Sequence, residues 1–297
     1  VRINAVFEHG NYGYVDEMTG EGWSVNRTNL EKEIPLRHWH LNDPGVVPNL
    51  LQTGAGSPTG MIIYEGNLLP SIFQNQMIHT DAGPNVVRSY ATTPWGAGYE
   101  ARINNLITSR DQWFRPADVA AAPDGSLFVA DWYDPGVGGH QAGDQAKGRI
   151  YRITKKGAGP MDWMKSVKLS ATSSADLVKL LTHKNGWYRR TAQRLLFDRK
   201  DKSVTPLLKE LIADDKALGG VQALWLLHDS GNLDAKDLAN ALGSSTEGIR
   251  ENALQVADRM IDKPGFANNP TLQKQLIGLA DDPSARVRFQ WLCSSSY

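Results

Sequence analysis

The chain changes its hydrophobic period once, near Gly157–Pro160, and this change limits the possible fold more than any other feature. Before it, short apolar runs alternate with turn signals such as Asp124-Gly125, a pattern typical of antiparallel strands. After it, apolar residues recur at the spacing of amphipathic helices. The sequence therefore predicts a multidomain β plus α protein, with a β domain over residues 1–157 and a helical domain over residues 158–297.

The strand-like runs form four-stranded units. The first unit comprises Gly60–Glu65, Gln76–Asp81, Val86–Thr92 and Tyr99–Ile107. The second begins with Ala117–Ala122, Leu127–Asp131 and Arg149–Thr154. Such units predict blades of a β-propeller, with a β-sandwich as the alternative. Because a propeller has at least four blades of about 40–50 residues, we expect residues 1–157 to be its last blades, with the earlier ones upstream or in another chain.

The second half predicts helix pairs that repeat about every 30–40 residues, as in HEAT arrays. The longer helices are expected at Trp187–Leu196, Leu218–Leu227, Gly248–Val256 and Arg286–Leu292. The shorter ones are expected at Ser174–Leu181, Val204–Ile212, Ala235–Leu242 and Thr271–Leu279. Small residues at Ala192, Ala223 and Ala253 would let neighbouring helices pack closely. No polar capping repeat follows, so we expect further sequence beyond Tyr297.

Composition limits the class of partner. Lys plus Arg and Asp plus Glu each number 32, and this balance argues against nucleic acid, which needs a basic face. No apolar run approaches the roughly 18 residues of a membrane-spanning helix. The single cysteine, Cys293, excludes an internal disulfide framework and any CxxC motif. No signal peptide is visible, and because the chain starts at Val1 we expect an upstream segment.

Propeller geometry concentrates the candidate site. In each blade, the 4–1 and 2–3 connections emerge on one face, around the channel mouth. Arg115 lies in the 4–1 connection of the last blade, and Asp131–Lys147 forms an unusually long 2–3 connection, the kind of loop that is often functional. The residues expected to converge on this rim are Arg115, Asp131, Asp134, His140, Asp144 and, from the preceding blade, Asp81 with His79.

These side chains offer a definite chemistry. Arg115 could fork a carboxylate-bearing ligand. Asp131 and Asp134, with loop carbonyls, could hold a hard cation such as Ca²⁺. His140 could act as the general base for an alcohol or hemiacetal proton. A structural alternative exists for two of them, since Asp131 could cap a turn and Arg115 could pair with Asp118 or Asp131.

Other polar groups carry weaker signals. His79 fits a packed strand histidine as well as a ligand. His38 and His40 stand two residues apart, as metal ligands on a strand can, but no third ligand is near. The helical half contains no catalytic constellation. Its concave surface could bind a protein.

Several long motifs resemble one family. They are RHWHLNDPGVVPNLLQTGAGSPTGMIIYEG, HTDAGPNVVRSY, FRPADVAAAPDGSLFVADWYDPGVGGH and KGRIYRI. Over about residues 5–157 the chain resembles the membrane-bound dehydrogenase family, also called PVC-type haem-binding CxxCH proteins. The helical remainder is similar to that family by architecture.

The resemblance implies a periplasmic or other extracytoplasmic protein, with membrane association left open. It implies a propeller similar to that of quinoprotein sugar dehydrogenases, with pyrroloquinoline quinone (PQQ) and Ca²⁺ oxidising a sugar or alcohol. Arg115, Asp81 and Asp131 would then contact the cofactor, while His140 and Asp134 would be catalytic. Electrons would pass to a c-type haem domain, whose CxxCH motif this chain lacks.

A second class of function stays open at this point. The chain could be a non-catalytic propeller–HEAT scaffold that binds a polysaccharide or a protein. A quinoprotein needs Arg, carboxylate and His groups that converge on a channel mouth. A scaffold would instead show an open surface lined by aromatic rings, without a cation site.

Overall fold

The fold has a β part followed by an α part. The computed structural model describes residues 2–15, 20, 41, 43–53, 56–136, 146–159, 162–214 and 218–294. Within these residues all the strands precede the α-helices, so the chain has a multidomain β plus α fold.

The strands form three antiparallel sheets in the described part of the chain. They are β1 (Arg2–Ile3), β2 (Leu51–Gln52), β3 (Pro58–Tyr64), β4 (Gln76–Asp81), β5 (Val86–Trp95), β6 (Gly98–Thr108), β7 (Pro116–Ala121), β8 (Leu127–Asp131) and β9 (Arg149–Ile153). β1 pairs with β2, while β3-β4-β5-β6 and β7-β8-β9 form two meanders in chain order. The predicted bounds of β4 and β8 are confirmed to the residue, and the other five predicted strands lie where the pattern placed them.

The two larger sheets share one core. Alternate residues of β3, β4 and β5 point to the same side, so that Tyr64, Ile78 and Val87 pack in one buried cluster with Val119 and Leu127 of the three-stranded sheet. The Tyr64 hydroxyl donates to the Gly125 carbonyl across this interface. The first strands of the two sheets, β3 and β7, therefore lie next to each other.

The α-helices follow in an order close to the prediction. They are α1 (Ser174–Leu180), α2 (Gly186–Arg199), α3 (Thr205–Ala213), α4 (Gly220–Asp229), α5 (Ala235–Leu242), α6 (Glu247–Met260), α7 (Pro270–Gly278) and α8 (Ala285–Ser294). Local chemistry explains their starts. At the start of α5, the Asp237 backbone N–H donates to the Asp234 carboxylate, and the Asp234 backbone N–H donates to the Asp237 carboxylate. This reciprocal pair is a capping box. Asn269 caps α7.

The helices pack through small residues around one apolar core. Ala192, Ala223 and Ala253 are fully buried, as their spacing predicted, and belong to a single cluster that extends from Leu177 to Val287. None of the helices in the described ranges is both long and apolar enough to cross a membrane.

A polar joint connects the β part to α2. The Glu65 carboxylate, after β3, pairs with the guanidinium groups of Arg189 and Arg190. The Glu65 carbonyl accepts a hydrogen bond from the Gly186 N–H at 3.1 Å, at the start of α2. The buried Asn185 side chain caps α2 and donates to the carbonyls of Ala122 and Pro123. A negative side chain at the N-terminus of a helix is stabilising, so this joint holds α2 against the sheets.

Candidate functional site

Arg115 lies at an edge where three connections meet: the β4–β5 turn, the segment before β7 and the residues after β8. Its Nε donates to the Asp134 carbonyl at 3.0 Å, its Nη1 to the Ala82 carbonyl at 3.1 Å and its Nη2 to the Pro135 carbonyl at 3.2 Å. The residue is only 9% exposed. All three guanidinium nitrogens therefore bind backbone, and Arg115 braces the three connections together.

Asp131, the last residue of β8, is surrounded by donors. Its Oδ1 accepts from the backbone N–H of Arg115 at 2.8 Å and of Tyr133 at 3.0 Å. Its Oδ2 lies 3.0 Å from Nε and 2.8 Å from Nη2 of Arg149. This buried carboxylate therefore caps a turn and neutralises an arginine, which corresponds to the structural alternative given for it above.

Asp134 and Asp81 complete what we call the rim cluster, which consists of Asp81, Arg115, Asp131 and Asp134. The Asp134 carboxylate accepts from the Gly136 N–H at 2.7 Å and from the Trp132 indole at 3.3 Å. In Asp81, which is fully buried, Oδ1 accepts from the Ser57 N–H at 2.7 Å. The structure thus brings four predicted site residues to one edge. Each makes internal contacts, but the buried Oδ2 of Asp81 accepts no hydrogen bond from the described residues and lies 3.8 Å from Nη2 of Arg88.

His79 lies on β4, two residues before Asp81, and is buried. Its Nδ1 is 2.9 Å from the Tyr90 hydroxyl. Burial is the main cause that lowers the pKa of His79, and it also raises the pKa of Tyr90 to about 12. The imidazole is therefore held neutral inside the sheet. The other predicted residues, His140, Asp144, His38 and His40, lie outside the described residues.

The internal hydrogen bonds of the rim cluster limit where a cation or a quinone carboxylate could bind to it. Each Asp131 oxygen accepts two hydrogen bonds, so a cation could bind there only by displacing a donor. Each Asp134 oxygen accepts one hydrogen bond from the described residues. The described ranges contain no group of three His, Cys, Asp or Glu side chains that could hold a metal. Arg115 uses three of its five N–H donors on backbone carbonyls and is only 9% exposed, so little of its guanidinium group is accessible to an anionic ligand.

The same edge carries an aromatic surface that the sequence analysis missed. Its rings are Trp113, Trp132 and Tyr133, which we call the aromatic patch. The Trp113 and Tyr133 ring centroids are 5.6 Å apart, and the Arg149 guanidinium stacks on Tyr133 at 3.9 Å. Trp132 is 63% exposed and Trp113 38%. The signal was present in the sequence, because each tryptophan lies within two residues of an aspartate in a connection between strands, where a core aromatic residue is not expected.

The β part of the chain is similar to a known domain model. Residues 24–157 match the model of a domain of unknown function, DUF7133. A solved structure from Thermus thermophilus, provisionally described as an oxidoreductase (glucose dehydrogenase), is similar to 38% of this chain at 18% identity, with a TM-score of 0.28. The matched part spans 30% of that protein. No curated protein sequence matches the chain.

Proposed function

We propose that this chain forms the last blades of a β-propeller followed by HEAT-like repeats, and that it acts as a non-catalytic scaffold. Its propeller rim and helical surface would hold a partner in a fixed geometry. The two consecutive meander sheets, packed through β3 and β7, support the blade assignment. The series of helices around one continuous core supports the repeat assignment.

The internal pairing of the rim cluster carries this proposal. A charged group takes part in catalysis directly only where it can reach substrate or cofactor. Here Arg115 binds three backbone carbonyls, and Asp131 binds Arg149 and two backbone N–H groups. The groups that the sequence marked as cofactor ligands therefore stabilise the edge on which other residues are displayed. A rigid edge is what a binding scaffold requires.

The joint at Glu65 supports the same function. It links the sheets to α2 through two arginines and through two hydrogen bonds from the buried Asn185 amide. The rim and the helical array would then move as one body. Two surfaces at a constant distance suit a protein that positions a partner.

A quinoprotein-type dehydrogenase, oxidising a sugar or alcohol and passing electrons to a c-type haem domain, is the second candidate. The convergence of Asp81, Arg115, Asp131 and Asp134 on one edge favours it, together with the sequence resemblance described above. In that case the rim cluster would position the connection that carries His140, and His140 would accept the substrate proton.

Reconstitution of the full-length protein with PQQ and Ca²⁺ separates the two candidates. We expect no PQQ binding by calorimetry and no dye reduction with a panel of sugars and alcohols. PQQ binding with substrate-dependent dye reduction would overturn the scaffold proposal. In that case the variant His140→Asn should still bind PQQ but should no longer reduce the dye, because it lacks the catalytic base.

A further inference from the structure

The aromatic patch is an exposed feature of the rim whose backbone is fixed at every residue. The Trp113 N–H donates to Asp111 at 3.0 Å, and the Trp113 carbonyl accepts from the Asp134 N–H at 3.0 Å. The Trp132 N–H donates to the Arg115 carbonyl at 2.8 Å. The Trp132 indole donates to Asp134. The rings are therefore positioned before any ligand arrives, which reduces the entropy cost of binding.

Tyr133 adopts a backbone conformation that a bulky residue rarely takes. Its φ is 53°, in the left-handed region, which is strained for a residue of this size. The Tyr133 N–H donates to the Asp131 carboxylate, and the Tyr133 ring packs against Trp113 and Arg149. The strain places an aromatic ring beside Trp113, where an ordinary turn residue would leave none.

Hydrogen-bonding side chains surround the patch. Asp111 and Gln112 immediately precede Trp113, and both are exposed. The exposed Lys147 has its ammonium 5.9 Å from the Trp113 ring centroid. The patch thus combines flat apolar rings with a carboxylate, an amide and an ammonium group at its border.

We propose that the aromatic patch binds an oligosaccharide. This inference rests on the scaffold function proposed above and names the chemical class of the scaffold's ligand. A pyranose ring has an apolar face of C–H groups and a border of hydroxyls. The face can stack on Trp132 or Trp113, because these rings are large and amphipathic. The hydroxyls can donate to Asp111, and they can accept from Gln112 and Lys147.

The local charges favour a sugar over a single-stranded nucleic acid, whose bases also stack on aromatic rings. Nucleic-acid grooves need several cations to follow the phosphates. At this edge Arg149 is paired with Asp131 and lies 3.5 Å from Asp111, and Arg115 is buried against carbonyls. The chain also has no net charge. The electrostatic component of phosphate binding is therefore small here.

The test is a titration of the full chain with neutral hexasaccharides of glucose, xylose, mannose and N-acetylglucosamine, followed by tryptophan fluorescence and calorimetry. We expect at least one to bind, and Trp132→Ala and Trp113→Ala each to weaken it roughly tenfold. Trp132→Phe should restore most of the affinity because it keeps a ring.

Trp95→Ala is the matched control. Trp95 is 69% exposed near the β5–β6 hairpin turn and belongs to no contact of the patch. We expect the affinity of Trp95→Ala for the bound hexasaccharide to stay within about twofold of the wild type. Unfolding midpoints of all variants would exclude global destabilisation.

Three results would overturn the inference: no hexasaccharide binds, a single-stranded oligonucleotide binds in their place, or Trp95→Ala weakens binding as much as Trp132→Ala. In each case the scaffold proposal stands if PQQ is still not bound. PQQ-dependent dye reduction would instead overturn the scaffold proposal, whatever the sugar titration shows.

Discussion

Replacement of Asp131 by alanine would test whether the rim cluster is structural. Asp131 is only 4% exposed. Its side chain joins three segments: the backbone before β7, the turn after β8 and Arg149 of β9. If its role is to hold these segments, its loss must destabilise the β part. If its role is to bind a cofactor, stability in the absence of cofactor should change little.

The magnitude follows from the groups left behind. The Arg115 N–H is buried, so losing its acceptor costs about 2 kcal/mol. The Tyr133 N–H is only partly buried and can bind water, which limits its cost to about 1 kcal/mol. Arg149 is 38% exposed, so solvent screens its pair with Asp131 and the loss is below about 1 kcal/mol. We expect Asp131→Ala to destabilise the β part by about 3–4 kcal/mol.

Urea unfolding combined with hydrogen exchange of peptides from β7 and β8 would measure this change. Exchange reports the local free energy of opening and separates the sheets from the helices. Asp131→Asn should cost about 1 kcal/mol, since the amide oxygen can still accept from the two backbone N–H groups.

Asp111→Ala is the matched control, because Asp111 lies 3.5 Å from the same Arg149 but is 41% exposed. We expect it to cost below about 1 kcal/mol. Calcium at about one hundred times the Kd of a real site would add about 2.7 kcal/mol to the wild type. A calcium-dependent gain that disappears in Asp131→Ala, or an unchanged stability of that variant, would refute the structural role.

Three further changes test the fold. Asn185→Ala should destabilise the joint by about 1–2 kcal/mol and expose it to limited proteolysis, since the buried Ala122 carbonyl and the partly buried Pro123 carbonyl lose their donor. Burial would raise the pKa of Asp282, but hydrogen bonds from Arg250 lower it overall. The Asp282–Arg250 pair therefore stabilises the folded chain above the unfolded pKa of Asp282, and this stabilisation is lost as the pH falls. In urea titrations, Asp282→Asn should lower the free energy of unfolding by about 2 kcal/mol at pH 7, and this difference from the wild type should shrink below about pH 4. Gly60→Ala should disrupt the β3–β7 contact, because its Cβ would lie 2.7 Å from the Asp118 Cα, whereas Gly248→Ala meets nothing within 4 Å and should unfold like the wild type.

Much of the fold could be predicted because its signals are local. Alternating apolar residues and the turn Asp124-Gly125 define β7 and β8, and the capping pair Asp234 and Asp237 defines the start of α5. Each signal depends on residues within one turn or one strand. The helix bounds differ mainly at their ends, as for α2, which extends to Arg199 before Lys200 ends it with a positive φ.

The candidate site was predicted in place but not in its contacts. The structure places Asp81, Arg115, Asp131 and Asp134 at one edge, while His140 and Asp144 of the same predicted set lie outside the described residues. The sequence did not indicate the partners of those side chains. Arg115 finds its acceptor at Ala82, 33 residues away, and Asp131 finds Arg149, 18 residues away. Such pairings depend on how two sheets and a long connection pack, which no local pattern encodes.

The sequence by itself therefore determined the order and type of the elements, the change from strands to helices and the edge where polar side chains gather. Only the tertiary structure decided that Arg115, Asp131 and Asp134 bind partners within the chain and that Trp113, Trp132 and Tyr133 lie at the surface. The physical reason is that secondary structure follows from contacts between near neighbours. The burial of a charge depends instead on donors and acceptors that distant segments bring to it.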